Sequence, residues 1–291
     1  MYRNDRLVAI LLAVYNGEKY LAEQIDSLLA QSFRDWTLYI RDDGSADATP
    51  QVIGRYCRTY PDRIFALEDA DGNLGCRGNF FRLLETVDSP YYMFCDGDDV
   101  WLPEKVGTSF EAIRRQEEQY PGIPILVQTD KTVCDEHLNV IAPSEWRAAG
   151  RNPDLFVSLK YIPILCVGGA TAIFNRALRD RMFPLPADAP MHDRWLSLQA
   201  ARYGRIFSIH RPLMLYRQHG RNAAGAAMAR YTFPWRKIKR LPSILRRDYG
   251  TARYYQRLGY GCFLKYFVAR ALFIVKMQYS KRTCGKKAMK V

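Results

Sequence analysis

The sequence predicts an α/β chain: a mostly parallel central sheet with helices on both faces, followed by a basic helical C-terminal tail. Two observations predict the sheet. Strand-length apolar runs alternate with segments of helical periodicity over residues 7–106, and three of those runs end in polar clusters. A third observation predicts the tail, because positive charge is concentrated beyond residue 229.

Residues 7–14 are continuously apolar, as expected of a strand covered on both faces. Tyr20, Leu21, Ile25, Leu28 and Leu29 then recur at helical spacing. A second strand over 36–40 runs into Arg41-Asp42-Asp43-Gly44-Ser45. A helix of about ten residues follows from Thr49, with Pro50 suited to its first turn. Residues 64–67 make a third strand, and Phe80, Phe81, Leu83 and Leu84 mark a third helix. Residues 91–95 make a fourth strand, and Pro103-Glu104 opens another helix. Beyond residue 120 the pattern loosens. Short strands are expected over 125–129, 132–134, 206–209 and 213–216, with a glycine step at Gly168-Gly169 and a helix over 193–203.

The polar clusters are Tyr15-Asn16-Gly17, Asp42-Asp43-Gly44 and Asp96-Gly97-Asp98-Asp99. In open α/β sheets ligands bind beyond the carboxyl ends of the strands. Three such ends in one half-chain predict a single nucleotide-sized cleft.

Composition narrows the partners. With 291 residues, 48% of them apolar, the chain can bury one large domain or a domain with an appendage. No apolar run reaches the roughly eighteen residues of a spanning helix. The apolar N-terminal stretch passes into a polar turn without a small-residue cleavage pattern, so no secretory leader is expected. Seven scattered cysteines without Cys-x-x-Cys spacing point to reduced thiols in a cytosol and away from structural zinc. The formal net charge is +13, yet residues 230–291 hold seventeen Lys or Arg and a single acid, Asp248. The first 229 residues are left at −3, which sets the expected division into a body, 1–229, and a tail, 230–291.

Three carboxylates in four positions at a buried strand end repel one another and need a cation or a loss of charge. Asp96 and Asp98 form an Asp-x-Asp whose hard oxygens suit Mg²⁺ or Mn²⁺, ions that bridge to phosphate. Asp99 stays open: a cap for the Pro103 helix, a support behind the ligands, or an acceptor within the cleft.

Taken together, AVYNGEKYLAEQIDSLLAQSF, IRDDGSADAT, NLGCRGNF and FCDGDDVWLPEKV closely resemble the family 2 glycosyltransferases of bacteria. Within these the chain resembles the rhamnosyltransferase-like branch that builds surface polysaccharides. The resemblance covers residues 5–222. It implies a GT-A fold, with residues 1–120 as the nucleotide-sugar half and 121–229 as the acceptor and catalytic half. It further implies that Val14, Tyr15 and Asn16 line the nucleotide pocket and that Asp43, with Asp42, faces a pyrimidine base. Asn73 and Arg77 are implied near base or diphosphate, although Arg77 also reads as a solvated helix start. Asp98 is implied as a metal ligand and Asp96 as a partner of ribose or metal. The branch usually carries Gln where this chain has Gly97; that side chain is no ligand, and its loss is expected only to loosen the pocket.

Asp193, in Met191-His192-Asp193-Arg194-Trp195, matches the family's catalytic base, a carboxylate opening a helix, where the helix dipole favours negative charge. Without the resemblance it reads equally as a helix cap. His192 and Trp195 flank it, and Gly168-Gly169 resembles the loop where acceptor and donor meet. His219, in YRQHGRN, matches a C-terminal histidine that reaches metal or pyrophosphate, with a hydrogen-bonded surface histidine as the alternative. The implied reaction is one in-line displacement that inverts the anomeric centre. Asp193 takes the acceptor proton, and a divalent ion offsets charge on the departing nucleoside diphosphate. The donor expected first is dTDP-rhamnose, with UDP-hexoses as the alternative. The acceptor is a saccharide, a polyprenyl-linked glycan being one option.

In the tail, Leu264, Phe267, Val268, Ala271, Ile274 and Val275 share one helical side, with Lys265 and Lys276 opposite. This reads as an interfacial membrane element, or as a helix packed on the body. The first reading places the protein in the cytoplasm, on the inner face of the plasma membrane. A nucleic-acid-binding protein would explain the tail but not the acidic strand ends, so no nucleic-acid partner is expected. A nucleotidyltransferase would need a glycine-rich, lysine-bearing loop that AVYNGEKY does not provide. An inactive scaffold is disfavoured by the presence of Asp98 and Asp193.

Overall fold

A computed structural model describes residues 2–3, 5–155, 167–220, 241–260, 264–269 and 271–272. The first half alternates as expected: β1 (Tyr2–Arg3), β2 (Val8–Val14), α1 (Leu21–Leu29), β3 (Trp36–Asp42), α2 (Thr49–Thr59), β4 (Ile64–Ala66), α3 (Gly75–Thr86), β5 (Val87–Asp88), β6 (Tyr91–Asp96), β7 (Val100–Trp101) and α4 (Lys105–Gln119). The second half follows as β8 (Ile125–Cys134), β9 (Val140–Ala142), α5 (Glu145–Ala149), β10 (Ala172–Asn175), α6 (Arg176–Arg181), α7 (His192–Tyr203), β11 (Arg205–Arg217) and α8 (Leu241–Arg257).

The main sheet runs β4-β3-β2-β6-β10-β8-β11-β7, with β9 added beside β8. From β4 to β6 it is parallel, whereas β10 runs antiparallel between β6 and β8, and β7 runs antiparallel to β11. The sheet is therefore parallel under the first half of the chain and mixed under the second.

The unbroken apolar run of β2 has a direct cause. Val8, Ile10 and Leu12 pack into a core with side chains of α1, α2 and α4, while Ala9 and Leu11 pack into a second core with α3 and α7. Burying a Leu or Ile side chain contributes about 1.5–3 kcal/mol. A one-residue slip would exchange the two faces of the strand, so the two differently shaped cores fix the register.

Two pairs of expected strands prove to be single ones. Residues 125–129 and 132–134 belong to β8, and 206–209 and 213–216 belong to β11. The register of β11 against β8 shifts on either side of Pro212, which has no N–H to give the ladder. Such irregularities move side chains between faces and break the alternation a sequence reader relies on.

The tail boundary near residue 230 lies outside the described residues, as do Ile274, Val275 and Lys276. What is described of the tail packs on the body. Ala252, Tyr255 and Tyr266 are buried in the core that holds Trp195 and Leu196 of α7, and Ala269 is buried as well. Arg194 Nη1 donates to Tyr255 Oη at 2.7 Å, and Gln199 Nε2 to Tyr260 Oη at 2.9 Å. Of the expected stripe, Leu264 (70% exposed) and Val268 (49%) face outward and Phe267 packs against the core, while Tyr266 and Ala269, outside the stripe, are buried. Among the described residues no helix is long and apolar enough to cross a membrane.

Candidate active site

Strand register brings the polar strand ends together. Ala13 stands opposite Asp96, and Val14 opposite Asp42, so β3, β2 and β6 finish side by side at one sheet edge. Tyr15, just past β2, is 56% exposed on the rim of this edge.

The residues behind it divide the work between packing and display. The Val14 side chain is buried. A Cβ on Gly17 would stand 2.5 Å from Val14 Cγ2, and one on Gly97 would stand 3.2 Å from it. Both glycines make room for Val14, which fills the space beside Gly97. Asn16, at φ 50°, accepts from Ala46 N through its side chain at 2.9 Å and donates its own N–H to Ser45 Oγ at 2.7 Å. Asp42 accepts from the Ser45 hydroxyl and backbone. Asn16 and Asp42 thus staple the loops after β2 and β3 to each other.

Asp43 is buried, paired with Arg41 Nη1 at 2.8 Å, and accepts from Leu74 N at 2.8 Å. Arg41 also holds Asp69 and the Gly72 carbonyl, each through bonds of 2.8–2.9 Å. Together they fold the loop before α3 over the cleft. Asn73, exposed in that loop, accepts from Gly75 N at 3.1 Å. Arg77 reaches away from the strand ends and donates to the Ala189 carbonyl at 2.7 Å, which ties α3 to the segment before α7.

The three acids of the fourth strand end have different fates. Burial and the Asp98 carboxylate push Asp96 up to about 7, with Lys131 opposing. Lys131, on β8, holds its ammonium 3.7 Å from the Tyr216 ring centroid. Asp98 Oδ2 lies 2.8 Å from His219 Nε2, whose ring packs on Tyr20. Asp99 is fully buried and accepts from Arg217 N at 3.1 Å. Burial, then Asp98 and Asp96, raise it well above the usual carboxylate range. Helix α4 begins later, at Lys105, with Glu104 at its cap position, so Asp99 does not cap it.

Asp193 stands in the first turn of α7, and its Oδ1 accepts from Arg194 N at 2.6 Å. The turn Gly169–Thr171 lies against it: a Cβ on Gly169 would come within 2.8 Å of His192 Nε2 and 3.3 Å of Asp193 Cβ. His192 is buried, its ring centroid 3.9 Å from that of Phe80, and burial lowers it to about 4. It backs the glycine turn as a neutral ring. Trp195 turns away from Asp193. Two residues on from Asp193 is about 200° around a helix, so Trp195 points into the core and donates to the Met182 carbonyl at 3.0 Å.

Cys76, in the first turn of α3, registers the assembled cleft. Burial, then the charges of Asp96, Asp193, Asp43 and Asp98, push its thiol up to about 12. Carboxylates from the ends of β3 and β6 and the start of α7 therefore all lie within electrostatic range of Cys76.

The profile of a family described as "Glycosyl transferase family 2" matches residues 9–182, more than half the chain. The chain belongs to glycosyltransferase family 2. An uncharacterised Mycobacterium tuberculosis protein is 27% identical over 224 residues, 73% of this chain and 59% of the relative, so the chain spans less than two thirds of that relative. The Shigella flexneri dTDP-rhamnosyl transferase RfbG is 26% identical over 226 residues, 74% of each chain. The solved mannosyltransferase PcManGT of Pyrobaculum calidifontis, in complex with GDP-Man and Mn²⁺, superposes with a TM-score of 0.60. That likeness has 16% identity and covers 98% of this chain and 74% of the other. It shows the shared GT-A fold.

Three residues that organise this site do not stand out in the sequence. Arg41 folds the loop before α3. Arg217, 3% exposed, holds the Asp98 carbonyl through Nε at 2.9 Å, the Glu136 carbonyl through Nη1 at 2.6 Å, and the Glu23 carboxylate. Lys105 lies beneath the glycine turn. Each acts across more than twenty-five residues of sequence, a distance no local motif encodes. The one available signal was a lone basic residue inside an apolar stretch.

Proposed function

We propose that the protein is an inverting, metal-dependent glycosyltransferase moving a sugar, rhamnose first, from a dTDP- or UDP-linked donor to a saccharide acceptor in bacterial surface polysaccharide synthesis. One observation supports this reading: Asp96 and Asp98 stand at the carboxyl end of β6, beside the ends of β2 and β3, with Asp193 near enough for its charge to act on Asp96. The name of the Shigella relative favours a dTDP-rhamnose donor.

The residues fit a divalent ion. Asp98 and His219 are in contact, Asp96 is adjacent, and Asp99 Oδ2 is buried with no hydrogen-bond partner among the described residues. Among the described residues no three such side chains converge as a closed cage. Mg²⁺ and Mn²⁺ sites of this class take one or two protein ligands and complete the shell with phosphate and water. Asp98 and His219 would hold the ion, exchanging their mutual hydrogen bond for coordination, with Asp96 adjacent. When bound, it supplies the positive charge that offsets the departing diphosphate.

The chain's own groups do the rest. Asp193 takes the proton of the acceptor hydroxyl as that oxygen attacks the anomeric carbon. Gly169 leaves space for the sugars to meet beside it. Arg217 fixes the backbone of Asp98, and Arg41 fixes the loop that carries Asn73. The test is a panel of nucleotide sugars with Mn²⁺. Acceptor-dependent release of the nucleoside diphosphate is expected, lost on chelation and restored by added metal. Binding to RNA or DNA without affinity for any sugar nucleotide would instead favour the nucleic-acid reading.

Peripheral contact with an anionic membrane is part of the proposal. It is supported by exposed Leu264 and Val268 beside Lys265, within a tail of net charge +16. Removing the whole tail would strip Tyr255 and Tyr266 from the core, so substitution of exposed residues is the cleaner test. Leu264→Glu with Val268→Glu is expected to abolish co-sedimentation with anionic liposomes and leave nucleotide affinity intact. Unchanged sedimentation would reject the membrane contact.

A further inference from the structure

Lys105, the first residue of α4, is fully buried. Its ammonium donates to the Ala170 carbonyl at 2.9 Å, lies 3.7 Å from Met214 Sδ, and sits 4.5 Å from the Trp101 ring centroid. Among the described residues it has no carboxylate partner within ion-pair distance. Burying an unpaired ammonium is costly, and burial brings this one down to about 7, with Cys95 and Asp99 opposing. A methionine would fill the same space without that cost. What lysine adds is a hydrogen-bond donor aimed at one carbonyl.

That carbonyl belongs to the turn Gly169–Thr171. The turn is held on its other side by Thr171 Oγ1, which donates to the Gly168 carbonyl at 2.7 Å, and it abuts His192 and Asp193 with no room for a Cβ on Gly169. The start of α4 is itself locked to the donor side. Gln31 donates to the Leu102 carbonyl at 2.8 Å and accepts from Val106 N at 3.0 Å. A continuous path thus runs from the segment after the Asp96–Asp99 cluster, through Lys105, to the turn that seats the base.

We propose that Lys105 is a positioning residue. It clamps the 169–171 turn against the start of α7 and so sets Asp193 relative to the donor cleft. The catalytic part of this inference rests on the transferase reading above; the structural part does not.

The test compares Lys105→Met with Lys105→Gln, whose amide can still donate. Apolar replacement of a buried charge is often neutral or stabilising, so Lys105→Met is expected to melt no lower than wild type and to bind nucleoside diphosphate normally. Its amides at 168–171 and 192–196 should exchange about tenfold faster, with the rest of the chain unchanged. Its kcat for transfer should fall by about 10²-fold with little change in donor KM, and Lys105→Gln should recover part of both effects. Unaltered exchange in that turn, or a kcat equal to wild type, overturns the proposal. So does unfolding of both variants, which would make Lys105 a residue of stability alone. Faster exchange in Lys105→Met, alongside a wild type that transfers no sugar, would support the clamp and sink the transferase reading.

Discussion

Asp193→Asn is expected to lower kcat by about 10²–10⁴-fold, the range a positioned general base contributes, while leaving affinity for the nucleoside diphosphate unchanged. The substitution keeps the shape of the side chain. Asn retains an oxygen for the Arg194 N–H now bound at 2.6 Å, so the first turn of α7 and its contact with Gly169 should survive. What it loses is the ability to take a proton from the acceptor hydroxyl. Steady-state kinetics with calorimetric nucleotide binding separates the two. A variant that turns over normally would remove Asp193 from the chemistry and leave it a helix-end residue.

Asp98→Ala should fail differently. Transfer is again lost, and here metal-dependent donor binding weakens as well, by about 10- to 100-fold, the scale on which metal sites respond to a removed partner. The loop itself should hold, because Arg217 grips the Asp98 carbonyl, not its carboxylate, and Arg217 N still donates to Asp99. His219 loses its partner at 2.8 Å and is left on Tyr20. Calorimetry with and without chelator provides the contrast: the two proteins should bind nucleotide alike without metal and diverge with it. Equal affinities under both conditions would take Asp98 out of the metal site.

Much of this was legible from the sequence because it is encoded locally. Four of the seven first-half strands, β2, β3, β4 and β6, show as apolar runs, and the polar ends of β2, β3 and β6 converge because parallel strands in register finish together. The acidic cluster at Asp96, Asp98 and Asp99 was visible as an electrostatic problem. Its resolution was not, because it comes from β8 and β11: Lys131 faces Asp96, and Arg217 donates to Asp99. The directions of Val14 and Trp195 were not legible, since proximity in a motif does not say which way a side chain points. Val14 turns into the core between two glycines, and Trp195 turns around its helix away from the base. In the second half the register shifts around Pro212 hid the continuity of β11.

The arrangement assigns distinct duties to the three acids after β6. Asp99 secures the last strand, Asp98 meets His219, and Asp96 lies between them and Asp193 with its charge partly suppressed by burial. The central claim is that this cleft carries out a single displacement with Asp193 as base. The most direct measurement is NMR of the glycoside formed from whichever donor the panel identifies. The account predicts a product whose anomeric configuration is opposite to that of the donor. A product that keeps the donor's configuration would contradict it.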